Sequence, residues 1–286
     1  MSDTGSLLPL KIDDVPLATG KVVYITGGGS GIGLACAKLF AQKGAKGVVI
    51  ADYKKPQPEV LQQLPSNVLF VHTDVSSWPS MVASFDACIE KFGAVDYVFA
   101  NAGIGELEHL FEDHFGKDGK LLGMSYTAID VKYDAQGLDH GETDLLTNAS
   151  TLHSLKGVLN TVKLAVHWFR KLKVPGHIVM TSSMSGYETP GIPIYVSSKR
   201  NTPGKPVNAG KEEPYVFENQ DPIQPAIAAA HLLSHDMYGR AILVFGGRFR
   251  EVEGVYESFR DDMFGGALGM PPVSDKGWRD LFSCSF

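Results

Sequence analysis

The sequence predicts an α/β fold: a single domain, residues 1–286, built on one doubly wound and mostly parallel sheet. Three observations predict it. An apolar strand, a glycine turn, a helix and a second apolar strand follow one another over residues 21–52. Further apolar strands recur downstream and alternate with helical stretches. Of the 286 residues, 44% are hydrophobic and 20% charged, which is typical of a globular chain with a large buried core.

The first unit is a strand over residues 21–26, a glycine turn over 27–33, a helix over 34–43 and a strand over 48–52. Glycines let the backbone approach a diphosphate closely, and a helix N-terminus supplies N–H groups for it. A glycine turn between a strand and a helix is a far stronger signal than glycines alone. The unit therefore predicts a dinucleotide site with these contacts: Gly27, Gly29, Ser30, Gly31, Ile32 and Gly33.

An acidic residue, Asp52, ends the second strand about twenty residues past the glycines. A carboxylate there can accept hydrogen bonds from both hydroxyls of an adenosine ribose, and it would repel a 2′-phosphate. This predicts NAD as the cofactor, with Tyr53 as a neighbouring contact. Lys54 and Lys55 follow and could pair with a phosphate, so NADP remains the less favoured alternative.

The third predicted strand covers residues 68–73, and the fourth covers 95–100. A long helix runs from Leu155 to about Lys173, and the fifth strand ends at Ser182. After another helix comes the last strand, between two glycine-containing turns at residues 239–247. We expect the strand order 3-2-1-4-5, then the last strand, with helices on both faces of the sheet.

Tyr195 and Lys199 are four residues apart, so they share one face if this stretch is helical. An ammonium beside a phenol favours the phenolate and lowers the tyrosine pKa from about 10, which suits a proton-transfer group. Ser182 lies thirteen residues before Tyr195 at a strand end. The three side chains could meet at one substrate oxygen.

This set of motifs resembles the short-chain dehydrogenase/reductase family, whose members have a Rossmann-type fold. The resemblance covers residues 18–110, 152–200 and 222–250. Within the family, the sequence is most similar in character to fungal NAD-dependent members that resemble 15-hydroxyprostaglandin dehydrogenase. It implies an oxidoreductase that transfers a hydride between NAD and a secondary alcohol or ketone. Apolar residues at 192–194 favour a hydrophobic small-molecule substrate.

The resemblance also implies roles for single residues. Tyr195 would be the general acid/base, Lys199 would hold the nicotinamide ribose, and Ser182 would bind the substrate oxygen, with Ser183 as second choice. Ser154 stands where the family has an asparagine that holds a water in a proton relay, so it either binds that water differently or is a tolerated replacement. Further cofactor contacts are implied at the ends of the third and fourth strands: Asp74, Val75, Asn101, Ala102 and Gly103.

Two regions depart from the family. Residues 105–151 are too long for their place and predict either a substrate lid or a retained intron. After Lys199, the chain is truncated: a Pro-Gly-rich stretch breaks the helix, so about one helix, one strand and a loop over the nicotinamide are absent. The predicted parts are a dinucleotide-binding half, the long segment, a catalytic half and a tail: 18–104, 105–151, 152–250 and 251–286.

These departures keep two other functions open. One is a catalytically impaired NAD-binding pseudoenzyme, or a chain whose sequence follows from wrongly assigned exons and introns. The other is a non-redox isomerase or cyclase on the same scaffold. A homo-oligomer is also an open expectation, although the helix that usually forms the family's dimer is the truncated one.

Composition argues against several other classes. The net charge is −6 and no basic stretch is interleaved with aromatics, which argues against a nucleic-acid binder. No apolar run reaches the ~18 residues of a membrane span, and the N-terminus does not resemble a signal peptide, so we expect a cytoplasmic protein. Cys36, Cys88 and Cys284 are far apart and predict reduced, packed thiols. His231 and His235 lack a third ligand, so we predict no metal site.

Overall fold

The computed structural model describes residues 7–103, 152–183, 220–237 and 239–253. The described residues form these strands: β1 (Leu7–Leu8), β2 (Val22–Thr26), β3 (Gly47–Asp52), β4 (Val68–His72), β5 (Tyr97–Ala100), β6 (His177–Met180), β7 (Ile242–Phe245) and β8 (Arg248–Glu251). They form these helices: α1 (Gly31–Gln42), α2 (Pro58–Gln63), α3 (Trp78–Phe92), α4 (Gly157–Leu172) and α5 (Ile223–Ser234).

Strands β2 to β6 form the main sheet in the order β4-β3-β2-β5-β6, and all four pairings are parallel. The predicted order 3-2-1-4-5 is confirmed, and the fold is of Rossmann type. In β2, Thr26 pairs with Ala51 on one side and Ala100 on the other. Because parallel strands all end at the same edge of the sheet, the segments that follow β2, β3, β5 and β6 meet there.

Alternate residues of β2 face two different cores. Val23 and Ile25 pack on the side of α1 and α5, while Val22 and Tyr24 pack on the side of α3 and α4. All four side chains are fully buried. A strand that is covered on both faces must be apolar throughout, which explains the unbroken apolar run that marks it in the sequence.

Among the described residues, the last predicted strand pairs with no strand of the main sheet. β7 pairs antiparallel with β8, and β8 pairs with β1, so the three form a separate small sheet. The loop between β7 and β8 consists of two glycines, Gly246 and Gly247, which both have positive φ, at 53° and 71°. Two such residues favour a tight hairpin, which gives β7 a neighbour from the next segment of the chain.

Cys36 and Cys88 are free thiols in α1 and α3, and both are buried, which confirms this part of the prediction. Burial raises the pKa of the Cys88 thiol to about 12. Cys284 lies outside the described residues. In the described ranges, no helix is both long enough and apolar enough to cross a membrane, and no group of three or more His, Cys, Asp or Glu side chains could hold a metal ion.

Candidate active site

The glycine turn and the start of α1 leave no room for a side chain at Gly27 or at Gly33. Gly27 has a φ of 66°, and a Cβ there would lie 2.8 Å from the Ala102 Cα. A Cβ on Gly33 would collide with the Gly27 carbonyl oxygen and lie 2.9 Å from the Asn101 Nδ2. Glycine is required at both positions because the turn, the start of α1 and the end of β5 approach one another closely.

The N-terminus of α1 opens toward this turn. Ser30 is exposed and has extended backbone angles, and its side chain makes no capping hydrogen bond to the helix. The first N–H groups of α1 therefore donate no hydrogen bond to the Ser30 side chain and can donate to a bound acceptor. The helix dipole favours an anion as that acceptor. Together with the three consecutive glycines at 27–29, this makes a cradle that fits a diphosphate.

Asp52 is fastened to the glycine turn by its carboxylate. The Oδ2 atom accepts a hydrogen bond from the Gly29 backbone N–H at 2.8 Å, and Oδ1 accepts one from the Lys54 N–H, also at 2.8 Å. Beside it, the Tyr53 ring is 49% exposed and meets the His72 ring edge-on at 5.1 Å. The end of β3 thus presents an oriented carboxylate and an aromatic ring at the cradle.

Hydrogen bonds join the ends of β2, β5 and β6. The Thr26 hydroxyl oxygen accepts from the backbone N–H groups of Asn101 at 3.0 Å and of Ala102 at 3.2 Å. The Asn101 amide group donates to the carbonyls of Thr26 and Gly27, at 3.2 and 3.3 Å, and its Oδ1 accepts from the Thr181 hydroxyl at 2.9 Å. Sequence reasoning assigned no role to Thr26 or Thr181, although each directly precedes a predicted site residue.

Asp74 and Val75 lie just beyond β4, where the resemblance implies cofactor contacts. The Asp74 Oδ1 accepts from the Ser76 N–H at 2.9 Å and from its hydroxyl at 2.7 Å, which orders the turn into α3. The Val75 side chain is buried in the core, and its carbonyl accepts from the Asn160 Nδ2 on α4 at 3.0 Å. Their contact with a cofactor stays a prediction.

Ser154 is 3% exposed and lies in a π-helical turn, Leu152–Lys156, that precedes α4. A Cβ on Gly103 would be 3.3 Å from the Ser154 hydroxyl oxygen, so this hydroxyl lies against the turn that follows β5. The sequence predicts a helix that begins at Leu155, directly after the serine, and does not predict the π turn. A π turn is frequent at functional sites, because it redirects the side chains of a helix end.

Ser182 and Ser183 follow β6 and line one end of a cleft of about 600 Å³. Ser182 is exposed and Ser183 is half-buried. The walls are mostly apolar and come from β6, α5 and β7, with Ile178, Ala228 and Leu243 among them. Tyr195 and Lys199 lie outside the described residues. Their predicted convergence on Ser182 therefore stays a prediction.

Residues 21–118 match the family model described as short chain dehydrogenase. Short-chain dehydrogenase/reductase prx4 of Penicillium rubens is 32% identical over 237 residues, which cover 82% of this chain. The chain belongs to the short-chain dehydrogenase/reductase family. It spans 63% of the length of that relative, which is less than two thirds.

Other family relatives differ in how far they match. Short-chain dehydrogenase/reductase ascJ of Acremonium egyptiacum is 29% identical over 82% of this chain and 81% of its own. The (+)-borneol dehydrogenase 1 of Salvia officinalis is 40% identical over 37% of this chain and 42% of its own. Among solved structures, the 3-ketoacyl-(acyl-carrier-protein) reductase from Brucella melitensis complexed with NADH is 27% identical, with a TM-score of 0.47 over 64% of this chain and 65% of its own.

Proposed function

We propose that this chain transfers a hydride between NAD and a secondary alcohol or ketone of a hydrophobic small molecule. The observation that carries the proposal is the position of Asp52. Its carboxylate is held by the backbone of the glycine turn at the same edge of the sheet where Ser182 follows β6. Ligands of open parallel sheets bind at this edge, outside the carboxyl ends of the strands.

Each proposed role uses groups of this chain. The cradle of the glycine turn and the N-terminus of α1 would hold the diphosphate, and Asp52 would accept from the adenosine ribose. The nicotinamide supplies the hydride acceptor or donor when it is bound. Ser182 would orient the substrate oxygen by a hydrogen bond. Tyr195 would take up or release the proton of that oxygen, and Lys199 would hold the phenol in its reactive charge state.

The substrate class is supported by the cleft beside Ser182 and by the relatives. The cleft walls are mostly apolar, which favours a hydrophobic substrate over a charged one. Ser154, buried against the turn after β5, is proposed to take part in the proton path as a hydroxyl in place of the family's asparagine. One partial relative is named as a dehydrogenase of (+)-borneol, which agrees with alcohol oxidation.

Binding and turnover are tested separately. We expect NADH to quench the tyrosine and tryptophan fluorescence of the purified chain. We also expect the absorbance of NADH to rise when the chain is mixed with NAD⁺ and members of a panel of secondary alcohols. Tyr195→Phe should lower turnover by about 100-fold or more while NADH binding is kept, because only the proton-transfer group is lost. Tyr256→Phe, a tyrosine of the C-terminal tail, is the matched control and should leave turnover unchanged.

One observation supports a second candidate, NAD binding without turnover. Ser182 is exposed beside the cleft, and among the described residues no strand pairs with the outer edge of β6. Quenching by NADH without any turnover across the alcohol and ketone panel would favour this candidate. Turnover that is unaffected by Tyr195→Phe would contradict the proposed proton-transfer role.

A further inference from the structure

The contact between Gly29 and Asp52 has a consequence for cofactor choice. Both oxygens of the Asp52 carboxylate accept backbone N–H groups, one from Gly29 and one from Lys54, each at 2.8 Å. These two donors belong to different segments, the glycine turn and the loop after β3. The carboxylate is therefore held at two points and cannot rotate without losing a charge-assisted hydrogen bond.

Gly29 must be glycine because of a close contact and not because of its φ angle. Its φ is not positive, so alanine would adopt the same backbone conformation without strain. The obstacle is contact: a Cβ on Gly29 would lie 2.9 Å from both the Cγ and the Oδ2 of Asp52, and 2.6 Å from the Lys54 carbonyl oxygen. The absence of a side chain at Gly29 lets the carboxylate approach the turn.

We propose that Gly29 is a positioning residue for cofactor discrimination, which acts by holding the Asp52 carboxylate where a 2′-phosphate would have to lie. This inference rests on the proposed function, because it concerns the same dinucleotide site. An ionised carboxylate can accept about four hydrogen bonds, so two backbone donors leave capacity for two ribose hydroxyls. A 2′-phosphate instead meets a fixed negative charge that cannot turn away from it.

The test measures affinities rather than activity. Dissociation constants for NADH and NADPH are obtained by fluorescence quenching for the wild type and for Gly29→Ala. We expect the wild type to prefer NADH, and Gly29→Ala to lose on the order of tenfold or more of that preference, as for the loss of one hydrogen bond to a charged group. A merely structural role would lower both affinities alike and leave their ratio unchanged.

Gly28→Ala is the matched control in the same turn. Gly28 also lacks a positive φ, but its added Cβ would meet Ile50, at 3.1 Å from the side chain and 3.2 Å from the Cα, and not Asp52. We expect it to change both affinities in parallel. A loss of preference as large as that of Gly29→Ala would show that any distortion of the turn has this effect, and would overturn the proposal.

A double-mutant cycle tests whether Gly29 acts through Asp52. Asp52→Ala alone should lower the NADH preference, and adding Gly29→Ala should then change the ratio no further. A further loss in the Asp52→Ala background would overturn the proposed route of action. Thermal melting of each variant shows whether it is folded.

If Gly29→Ala fails to fold, hydrogen exchange of the Gly29 amide decides the question. We expect this amide to be protected in the wild type and to exchange faster in Asp52→Ala, because its acceptor is removed. Equal exchange in both proteins would overturn the inference. A wild type that binds both dinucleotides equally would also overturn it while leaving dinucleotide binding intact, whereas a wild type that binds neither would overturn the proposed function as well.

Discussion

The main sheet has a glycine-turn side, with β2, β3, β5 and α1, and a cleft side, with β6 and α5. The two sides differ in how many strand and hydrogen-bond contacts the described residues make. β2, β3 and β5 each pair with a neighbour on both edges, and the segments after them are joined by backbone and side-chain hydrogen bonds. β6 pairs with β5 alone among the described strands, and Ser182 after it is exposed beside the cleft. The groups proposed to bind the cofactor are thus held by contacts between strand ends, while the proposed acid/base groups come from residues further along the chain.

The largest expected effect comes from the same core truncation on each side. Leu39 on α1 and Leu233 on α5 are 1% and 0% exposed in one shared core. We expect Leu39→Ala to lower the free energy of unfolding by about 4 kcal/mol and Leu233→Ala by about 2 kcal/mol. The reason is that α5 borders the cleft and can shift as the cavity closes, whereas α1 packs on β2, β3 and α5.

Urea denaturation measures both costs, since the midpoint and slope give the free energy of unfolding. Gln42→Ala at the exposed end of α1 is the control and should stay within about 0.5 kcal/mol of the wild type. If the two leucine substitutions lower the free energy of unfolding by the same amount, the cleft side is as rigidly packed as the glycine-turn side, and the proposed difference between the sides is wrong.

A smaller loss of stability is expected from Gly33→Ala, together with a loss of NADH binding. The added methyl collides with the Gly27 carbonyl, so the turn must move; we expect a cost of about 1–3 kcal/mol. Gly93→Ala is a control at the end of α3, where φ is 72° and a Cβ would meet no atom within 4 Å. It should lose about 1 kcal/mol and keep NADH binding. Equal NADH affinity in the two variants would contradict the importance of the close approach.

The smallest expected effect is a pH dependence on the cleft side. The His231 ring lies against the His235 ring at an interplanar angle of 35°, with ring centroids 4.1 Å apart near the end of α5. Burial, and then the charge of His235, lower the pKa of His231, while Asp14 acts in the opposite direction. The folded pKa lies below the unfolded value of about 6.5, so this contribution to stability is present above that pH and is lost as the pH falls through the folded pKa.

We therefore expect His231→Gln to flatten the fall in melting temperature between about pH 7 and pH 5. His235→Gln should flatten it less, because its charge is the second cause and burial is the first. A slope that is identical in the wild type and His231→Gln would show that this histidine pair does not contribute to the acid sensitivity of the cleft side.

The parts of the fold that the sequence predicted well are those with local signals. β2, the glycine turn, α1 and β3 follow one another within about thirty residues, and each has its own apolar period or glycine signal. The last strand was misplaced because its partner, β8, is supplied by the hairpin at Gly246 and Gly247, and no strand was predicted after residue 247. The π turn at Ser154 was missed because no local residue preference distinguishes it from an ordinary helix end.

The sequence by itself determined the chemistry that this chain carries: a glycine-rich turn, an acid at the end of β3, and serine, tyrosine and lysine side chains suited to proton transfer. These follow from residue identity and short spacing. Only the tertiary structure decided that Asp52 is held by Gly29, that Asn101 joins Thr26 to Thr181, and that β7 lies outside the main sheet. The physical reason is that each depends on hydrogen bonds between segments far apart in the chain, which are set by strand pairing and not by neighbours in sequence.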